Sequence, residues 1–300
     1  MGKIIPYAGN LCSKDAEKMI SIKIGGACNA RCSFCVDRGG YNAGPLPNVL
    51  KIAEEANRLS DYKTVIITGG EPFLYFDETV ALLKMLRPNK TRLVLNTNGS
   101  LLTQEKVKTL NGLIDELQIS IHNSSEAINN SVFDFGDSHY VKFDNIRTAI
   151  EDAKFTVSIN STFNKTWNPD KDEISKMEKL CVYLGADNLR LTELKKVDES
   201  GFVPAETFLK NWEDNYTGFE TRSDEDLIAK GCTVYVRDVY GILISIKRLC
   251  KYAKGKNATA FSCCFINNDG QAKIDVDTKD TFKVIYADGT VTNDWIFKGL

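Results

Sequence analysis

The stretch MISIKIGGACNARCSFC, residues 19–35, carries the strongest information about the fold and the chemistry of this chain. Its first six residues, 19–24, are mostly β-branched or apolar and predict a β-strand. The strand runs directly into a loop that contains Cys28, Cys32 and Cys35. Three free thiols this close together would be prone to oxidation unless they bound a metal or took part in catalysis. The spacing therefore predicts a metal-binding or catalytic loop at the end of the strand.

The combination of a short apolar strand and a helical period recurs along the chain. Further strands are predicted at 64–68, 92–97, 116–121, 155–160 and 188–194, with helices at 48–59, 77–86, 103–110, 145–153 and 170–184 between them. Nearly continuous apolar strands of this kind belong in a parallel sheet that helices cover. Six units are too few for a closed eightfold barrel. The predicted fold class is therefore α/β, a partial (β/α)6 TIM barrel that is open on one side.

The sequence changes character after Glu193, where it becomes polar and rich in turn residues. Residues 232–250 and 282–295 then predict two β-hairpins, with turns near Gly241 and at Asp288-Gly289. These features predict a small β-rich region at the C-terminal side of the barrel. The predicted divisions are an N-terminal extension (1–18), a barrel core (19–195) and a C-terminal region (196–300).

The composition disfavours several classes of partner. The chain has 300 residues, with 38 lysines and arginines against 40 aspartates and glutamates, for a net charge of −2. This balance provides no strongly basic surface for nucleic acid. No apolar run approaches the roughly 18 residues that cross a bilayer, and the N-terminal residues lack the apolar segment of a signal peptide. We therefore expect a cytoplasmic protein without nucleic-acid or membrane partners.

The first group of cysteines suits an iron–sulfur cluster better than zinc. A closed structural zinc site requires four protein ligands, and neither His122 nor His139 is close to this group in sequence. An iron–sulfur cube takes one thiolate per iron, so three cysteines would leave one iron open to a small molecule. We therefore interpret Cys28, Cys32 and Cys35 as the ligands of such an open cluster.

Four motifs together resemble the radical S-adenosylmethionine (radical SAM) superfamily. The cysteines follow the pattern C-x3-C-x-Φ-C, with Phe34 in the aromatic position. TGGEP at 68–72, LNTNGS at 95–100 and ISIH at 119–122 end the second, third and fourth predicted strands, as the superfamily pattern requires. Each motif alone is weakly specific. Their order and their positions at strand ends make the resemblance strong over residues 20–195.

The resemblance implies a [4Fe–4S] cluster on the three cysteines, with SAM bound to the open iron through its amino and carboxyl groups. Reductive cleavage of SAM would then give a 5′-deoxyadenosyl radical that abstracts a hydrogen atom from a substrate. An electron donor such as flavodoxin or ferredoxin is implied as a partner. The residues assigned to the cofactor by position are Phe34 in the cysteine motif, Gly69, Gly70, Glu71 and Pro72 at the methionyl amino end, Asn98 and Ser120 at the ribose or carboxylate, and Asn160 and Leu191 at the adenosyl group.

One element of the superfamily pattern is missing. Many members place an arginine a short distance after the serine of the fourth strand, where it pairs with the SAM carboxylate. The corresponding stretch here, NSSEAINNSVFDFGDSHY at 123–140, contains no arginine. His139 and Lys142 are candidate substitutes, and the alternative is that both are solvated loop residues.

A second group of cysteines lies in the C-terminal region and resembles the shortened "twitch" form of the SPASM appendage. That appendage carries an auxiliary [4Fe–4S] cluster in some radical SAM enzymes. We predict that Cys232, Cys263 and Cys264 bind this cluster and that Cys250 donates a hydrogen atom, as a cysteine does in similar epimerases. The alternatives are that Cys250 is a fourth ligand or a buried apolar residue, or that there is no second cluster. The two cysteines expected to be structural are Cys12 and Cys181.

Comparison with known subfamilies narrows the range of possible substrates. The GTP cyclase of molybdopterin synthesis has a glycine-rich C-terminal tail, whereas this chain ends DWIFKGL. The nucleotide dehydratase viperin lacks C-terminal cluster cysteines, and RNA-modifying members carry basic modules. The leading expectation is hydrogen abstraction from a small polar substrate, with epimerisation or dehydrogenation as the outcome. The alternatives are a peptide epimerase or crosslinking enzyme and, less favoured, a radical-generating activase of a partner protein.

Overall fold

The computed structural model describes residues 18–35, 46–136, 140–164, 166–168, 171–193, 220–221, 234–239, 242–247, 265–266, 272–273 and 282–293. Its strands are β1 (Met19–Lys23), β2 (Thr64–Thr68), β3 (Arg92–Thr97), β4 (Glu116–Ser120), β5 (Thr156–Phe163), β6 (Asn188–Glu193), β7 (Glu220–Thr221), β8 (Val234–Val239), β9 (Ile242–Lys247), β10 (Phe265–Ile266), β11 (Ala272–Lys273), β12 (Phe282–Tyr286) and β13 (Val291–Thr292). From β1 to β6 each strand pairs in parallel with the next one along the chain. This order confirms the predicted parallel α/β sheet of a partial barrel.

The helices that connect these strands lie where the apolar periodicity predicts them, with one addition. They are α1 (Val49–Arg58), α2 (Phe76–Leu86), α3 (Gln104–Leu110), α4 (Glu126–Phe133), α5 (Phe143–Ile150) and α6 (Lys171–Leu184). Side chains cap the amino ends of α1 and α3, because Asn48 Oδ1 accepts the Lys51 N–H at 3.1 Å and Thr103 Oγ1 accepts the Lys106 N–H at 3.3 Å.

Helix α4 and a short 3₁₀ turn at Pro72–Tyr75 are not expected from the sequence. Two asparagines hold α4 in place through side-chain bonds. Asn129 Oδ1 accepts the His122 N–H at 2.9 Å, and Asn130 Nδ2 donates to the Val141 carbonyl at 2.8 Å. Buried asparagine side chains therefore occupy positions that are apolar in most amphipathic helices. For this reason apolar periodicity does not predict α4.

The C-terminal strands extend the barrel sheet at both of its edges. On one side β12 pairs in parallel with β1 and carries β13, and on the other side β9 pairs in parallel with β6 and carries β8. The β8–β9 and β12–β13 pairs confirm the two predicted hairpins. Both pairs derive from the predicted C-terminal region, yet their strands share one sheet with the barrel core.

The sheet has an apolar face and a polar face. Alternate side chains such as Ile20, Ile22 and Ile24 point into the core formed with the described helices. The side chains between them point the other way. This polar face includes Arg92, Glu116, Gln118, Ser158, Asn160 and Arg190.

Glu116 is the centre of an ion group on the polar face. Its carboxylate is fully buried and lies 2.6 Å from Arg92 Nη2 and 3.0 Å from Arg190 Nη2. Ser158 Oγ donates to the same carboxylate at 2.6 Å. Burial alone would raise the pKa of Glu116, but the charge of Arg190, the Ser158 hydroxyl and Arg92 together lower it below its ordinary value. The group therefore joins β3, β4, β5 and β6.

The substitution Glu116→Gln should destabilise the protein by about 3–5 kcal/mol, because it leaves two arginines, whose side chains are only 11% exposed, without their carboxylate. The measurement is the urea-unfolding free energy. Glu55→Gln is the matched control, since Glu55 pairs with Arg58, whose side chain is 73% exposed, and this loss should cost less than about 0.5 kcal/mol. Equal effects of the two substitutions would contradict a stabilising role for the ion group.

Candidate active site

Three loops meet at the carboxyl-terminal edge of the parallel sheet. The cysteine loop follows β1, the segment 69–72 follows β2, and the segment 98–100 follows β3. Because β1, β2 and β3 are parallel neighbours, their carboxyl ends lie side by side. This is the edge at which α/β barrels collect catalytic residues. The structure therefore brings together the first three motifs found in the sequence.

The three cysteines of the first loop are reduced thiols with partly buried side chains. Burial raises the pKa of Cys28 to about 11, while a hydrogen bond from the Ala30 backbone acts in the opposite direction. Burial also raises the pKa of Cys32, and the neighbouring Cys35 and Cys28 add to this shift. Because the charge on one cysteine shifts the pKa of another, the thiols lie close to one another. Cys28 and Cys32 are therefore neutral at neutral pH and would lose their protons on binding iron.

This thiol arrangement fits a cluster of several irons. Among the described residues, no three His, Cys, Asp or Glu side chains are placed to hold a single metal ion. A cube does not need such a group, because each thiolate binds a different iron. The donor set of three soft thiolates also matches the ligands that iron–sulfur clusters take.

The cysteine loop is anchored on the carboxyl end of helix α4. The Phe133 carbonyl accepts the Arg31 N–H at 2.7 Å and the Cys32 thiol at 3.9 Å. Within the loop, the Cys35 N–H donates to the Cys32 carbonyl at 3.1 Å. The helix that the sequence analysis missed thus positions the second cysteine.

The cysteine loop and the segment after β2 approach each other at backbone distance. The Gly70 N–H donates to the Gly25 carbonyl and the Glu71 N–H to the Ala27 carbonyl, both at 2.9 Å. A Cβ atom on Gly70 would lie 2.0 Å from the Ala27 carbonyl oxygen, which is a severe clash. Gly69 has a φ of 148°, a conformation that favours glycine. The two glycines are therefore required to bring the predicted cluster loop and cofactor motif together.

Glu71 is buried and joins β2 to the end of β3. Its side chain is 1% exposed. Oε1 accepts the Thr97 hydroxyl at 2.7 Å and the Phe73 N–H at 3.0 Å, and Oε2 accepts the Asn98 N–H at 2.8 Å. Burial raises the pKa of Glu71 to about 6, although these hydrogen bonds favour the charged form. The carboxylate therefore links the loop after β2 to the end of β3. Pro72 begins the 3₁₀ turn that follows.

Ser120 and Asn160 lie side by side on the polar face, where β4 pairs with β5. Asn160 Nδ2 donates to Gln118 Oε1 at 2.8 Å. Within the described part of the chain, Asn160 Oδ1 is buried and has no hydrogen-bond partner. Such an orphaned acceptor fits a ligand that donates a hydrogen bond there, such as a hydroxyl or amino group.

Leu191 points away from this group. It pairs with Ser161, the residue after Asn160, and its side chain is 1% exposed in the core against the helices. Successive residues of a strand face opposite sides of a sheet. The structure therefore does not bring the Leu191 side chain to Ser120 and Asn160, and the β6 residue that pairs with Asn160 on their face is Arg190.

Phe34 belongs to an aromatic group next to the cysteine loop. Its ring centroid lies 5.0 Å from that of His122 and 5.1 Å from that of Trp167. Burial lowers the pKa of His122 to about 3, so the ring is neutral, and its Nδ1 accepts the Thr162 N–H at 3.2 Å. Trp167 was not predicted as a site residue, because it lies between β5 and α6 in a segment without a motif.

Several predicted site residues lie outside the described residues. They are His139, Cys232, Cys250, Cys263 and Cys264, and Cys12, which was expected to be structural, also lies outside them. Lys142, the other candidate for the missing arginine, is exposed and immediately precedes α5. Cys181 is fully buried in α6, as expected for a structural cysteine. Among the described residues, no helix is long and apolar enough to cross a membrane.

Comparisons with known proteins give one family. Residues 22–177 match the model of the radical SAM superfamily. GTP 3′,8-cyclase of Aquifex aeolicus (strain VF5) is 24% identical over 290 residues, which cover 90% of this chain and 89% of that protein. Probable GTP 3′,8-cyclase of Saccharolobus islandicus (strain L.S.2.15 / Lassen #1) is 28% identical over 175 residues, 57% of this chain and 54% of that protein.

The fold is shared with solved structures. The crystal structure of Streptococcus suis SuiB bound to precursor peptide SuiA has a TM-score of 0.56 and 17% sequence identity, and the likeness covers 92% of this chain but only 58% of SuiB. At this identity the likeness concerns the fold. The family model, in contrast, matches more than half of the 300 residues. The chain therefore belongs to the radical SAM superfamily of enzymes, which use a [4Fe–4S] cluster and S-adenosylmethionine.

Proposed function

We propose that this radical SAM enzyme cleaves S-adenosylmethionine reductively and abstracts a hydrogen atom from a small polar substrate, with epimerisation or dehydrogenation as the outcome. The observation that carries the proposal is the meeting of three reduced cysteines with the glycines after β2 at one edge of the sheet. When bound, the cluster and SAM would supply the 5′-deoxyadenosyl radical. The protein's own part is to hold, orient and shield them.

In this proposal each loop has its own task. Cys28, Cys32 and Cys35 hold the cluster, and their partial burial limits the access of water to it. The backbone of 69–72 receives the methionyl amino end, since the glycines there leave room for close approach. Phe34, Asn98, Ser120 and Asn160 border the nucleoside. The unpartnered Asn160 Oδ1 supports the assignment of Asn160, because a hydroxyl or amino group of the nucleoside could donate a hydrogen bond to it.

The C-terminal cysteines extend the proposal. Cys232, Cys263 and Cys264 would bind an auxiliary cluster and Cys250 would donate a hydrogen atom to the substrate radical. A flavodoxin or ferredoxin would supply the electron, and a cytoplasmic location would provide both the donor and a reducing environment for the thiols. The sequence supports this proposal, because four of its nine cysteines fall within residues 232–264, and grouped cysteines in a reducing environment are typical of metal-binding or catalytic sites.

A small substrate is supported by the relatives. GTP 3′,8-cyclase of Aquifex aeolicus aligns with 90% of this chain, and its name states a nucleotide substrate. A peptide substrate is the second candidate, because the fold likeness to SuiB bound to precursor peptide SuiA covers 92% of this chain. The alignment reflects sequence similarity over nearly the whole chain, whereas the likeness to SuiB shows the fold alone. We therefore place the small substrate first.

Replacing any one of Cys28, Cys32 and Cys35 by alanine should remove about four irons per chain, because two thiolates do not retain a cube. Anaerobic iron and sulfide determination after reconstitution measures the loss. Cys181→Ala is the matched control, since Cys181 is buried in α6 and should leave the iron content unchanged. Full iron in the three variants would contradict the ligand assignment. Wild-type protein with about eight irons would support the auxiliary cluster.

The substitution Gly70→Ala should weaken SAM binding by tenfold or more, because its methyl group must displace the Ala27 carbonyl and with it the cysteine loop. Equilibrium dialysis of SAM against the reconstituted protein measures the affinity. Gly112→Ala is the control, since a Cβ atom there has no neighbour within 4 Å. Unchanged SAM affinity in Gly70→Ala would contradict the proposed contact between the two loops.

Incubation with deuterated substrates distinguishes the two candidate functions. Anaerobic enzyme, SAM and dithionite are mixed with deuterated sugars, amino acids and nucleotides, or with deuterated peptides, and the 5′-deoxyadenosine is analysed by mass spectrometry. The proposal predicts that deuterium reaches 5′-deoxyadenosine from one of the small molecules. Transfer from peptides alone would favour the second candidate. Rapid SAM cleavage without transfer from either class would contradict both.

A further inference from the structure

Asn29, Asn98 and Ser100 form a closed ring of side-chain hydrogen bonds, here called the Asn–Ser ring. Asn29 Nδ2 donates to Ser100 Oγ at 2.8 Å, Ser100 Oγ donates to Asn98 Oδ1 at 2.6 Å, and Asn98 Nδ2 donates to Asn29 Oδ1 at 2.8 Å. Asn29 directly follows Cys28 in the cysteine loop, whereas Asn98 and Ser100 follow β3. The ring therefore joins the cysteine loop to a different strand of the barrel.

The direction of every bond in the ring is fixed by one backbone group. The Ser100 N–H donates to Asn98 Oδ1 at 3.0 Å, so that atom must be the amide oxygen. The amide nitrogen of Asn98 then faces Asn29, which must present its own oxygen. The nitrogen of Asn29 consequently faces Ser100, whose hydroxyl accepts from Asn29 and donates to Asn98. No other assignment of the two amides satisfies all of these contacts.

The ring rests on a rigid base. The Asn98 N–H is held by Glu71 Oε2 at 2.8 Å, and Gly99 has a φ of 80° that fixes the turn between the two ring residues of the third loop. The Ala30 N–H donates to the Cys28 sulfur at 3.4 Å within the cysteine loop. The Asn98 side chain, at the end of β3, also favours the thiolate of Cys28 and lowers the pKa of that thiol, against the larger effect of burial. The Asn98 amide is therefore a candidate second donor to the Cys28 sulfur.

We propose that the Asn–Ser ring is a positioning device for the cluster, in which Asn29 and Ser100 fix the cysteine loop and Asn98 donates a hydrogen bond to the sulfur of the first cluster ligand. The inference rests on the proposed function, because it takes Cys28 as a ligand. It gives Asn98 a task on the cluster in addition to the predicted contact with the cofactor. None of the three residues needs to touch the substrate.

Two consequences follow from the proposed geometry. Hydrogen bonds to a ligating sulfur withdraw electron density from it and stabilise the reduced cluster, which raises the reduction potential. Fixing the loop before the cluster binds lowers the ordering cost of binding and slows its loss. The amide of Asn98 should therefore affect the potential, and the hydroxyl of Ser100 should affect mainly the retention of iron.

Two substitutions separate these effects. Asn98→Asp is isosteric, removes the donor to Cys28 and to Asn29, and adds a negative charge. It should lower the midpoint potential of the cluster in an EPR-monitored redox titration. Ser100→Ala breaks the ring without changing charge and leaves the Asn98 backbone bond in place. It should speed the anaerobic release of iron to excess EDTA about tenfold, with a smaller change in potential.

The matched controls make the same chemical changes at the opposite end of the sheet. Asn89→Asp and Ser60→Ala alter exposed residues that precede β3 and β2. Both should keep the wild-type potential and the wild-type rate of iron release. A change in these controls equal to that in the ring variants would contradict a specific role for the ring.

The results also separate the inference from the proposed function. If the wild-type protein binds a cluster but Asn98→Asp keeps its midpoint potential and Ser100→Ala keeps its rate of iron release, the inference is wrong and the proposed function stands. If the wild-type protein retains no cluster after anaerobic reconstitution, both are wrong. A lowered potential in Asn98→Asp with intact iron content would confirm that the amide acts on the cluster.

Discussion

The structure of the site depends on one buried carboxylate. Glu71 lies in the loop that follows β2. Its carboxylate oxygens accept hydrogen bonds from the Thr97 hydroxyl and the Asn98 N–H at the end of β3, and from the nearby Phe73 N–H. Its own N–H binds the Ala27 carbonyl in the cysteine loop. One residue therefore connects the loops that follow β1, β2 and β3. Burial of the carboxylate is costly unless these partners are present, so the three loops are stable only in this mutual arrangement.

The polar face of the sheet leads to the same edge. Gln118 donates to Glu116 and accepts from Asn160, so a chain of hydrogen bonds runs from the buried ion group to the orphaned Asn160 oxygen. Each bond in this chain fixes the orientation of the next amide. The orientation of Asn160 is thus determined by Gln118 and, through it, by Glu116 and its two arginines. The residues that stabilise the sheet here therefore also orient Asn160, the proposed contact of the cofactor.

Much of this arrangement could be predicted from the sequence. The strands β1–β6 and five of the helices follow from apolar periodicity, and the cysteine spacing and GGEP segment follow from local pattern. The site residues that the sequence did not predict act through contacts between segments that are distant along the chain. Asn29 and Trp167 carry no periodic signal, and Leu191 was assigned to the cofactor although strand alternation places its side chain in the core. The parallel pairing of β12 with β1 joins segments that are far apart in sequence, and no local pattern encodes it.

The role of Glu71 shows the same limit. Its place in a motif predicts that it lies at the cofactor site, and the structure places it between the loops that follow β1, β2 and β3. Only the three-dimensional contacts show that its carboxylate binds the protein itself. Local sequence reports which residues end a strand. It does not report which of them face one another across the ends of neighbouring strands. The Asn–Ser ring is an example. The sequence shows both of the motifs that contribute residues to the ring, but it does not show that these motifs contact each other.

The central claim is that these loops hold a cluster whose open iron binds and activates SAM. The most direct measurement is the formation of 5′-deoxyadenosine and methionine by anaerobically reconstituted wild-type protein given SAM and dithionite, without any added substrate. The account predicts slow formation of the two products in equal amounts, dependent on dithionite. A protein with full iron content and a reduced cluster that leaves SAM intact would contradict it.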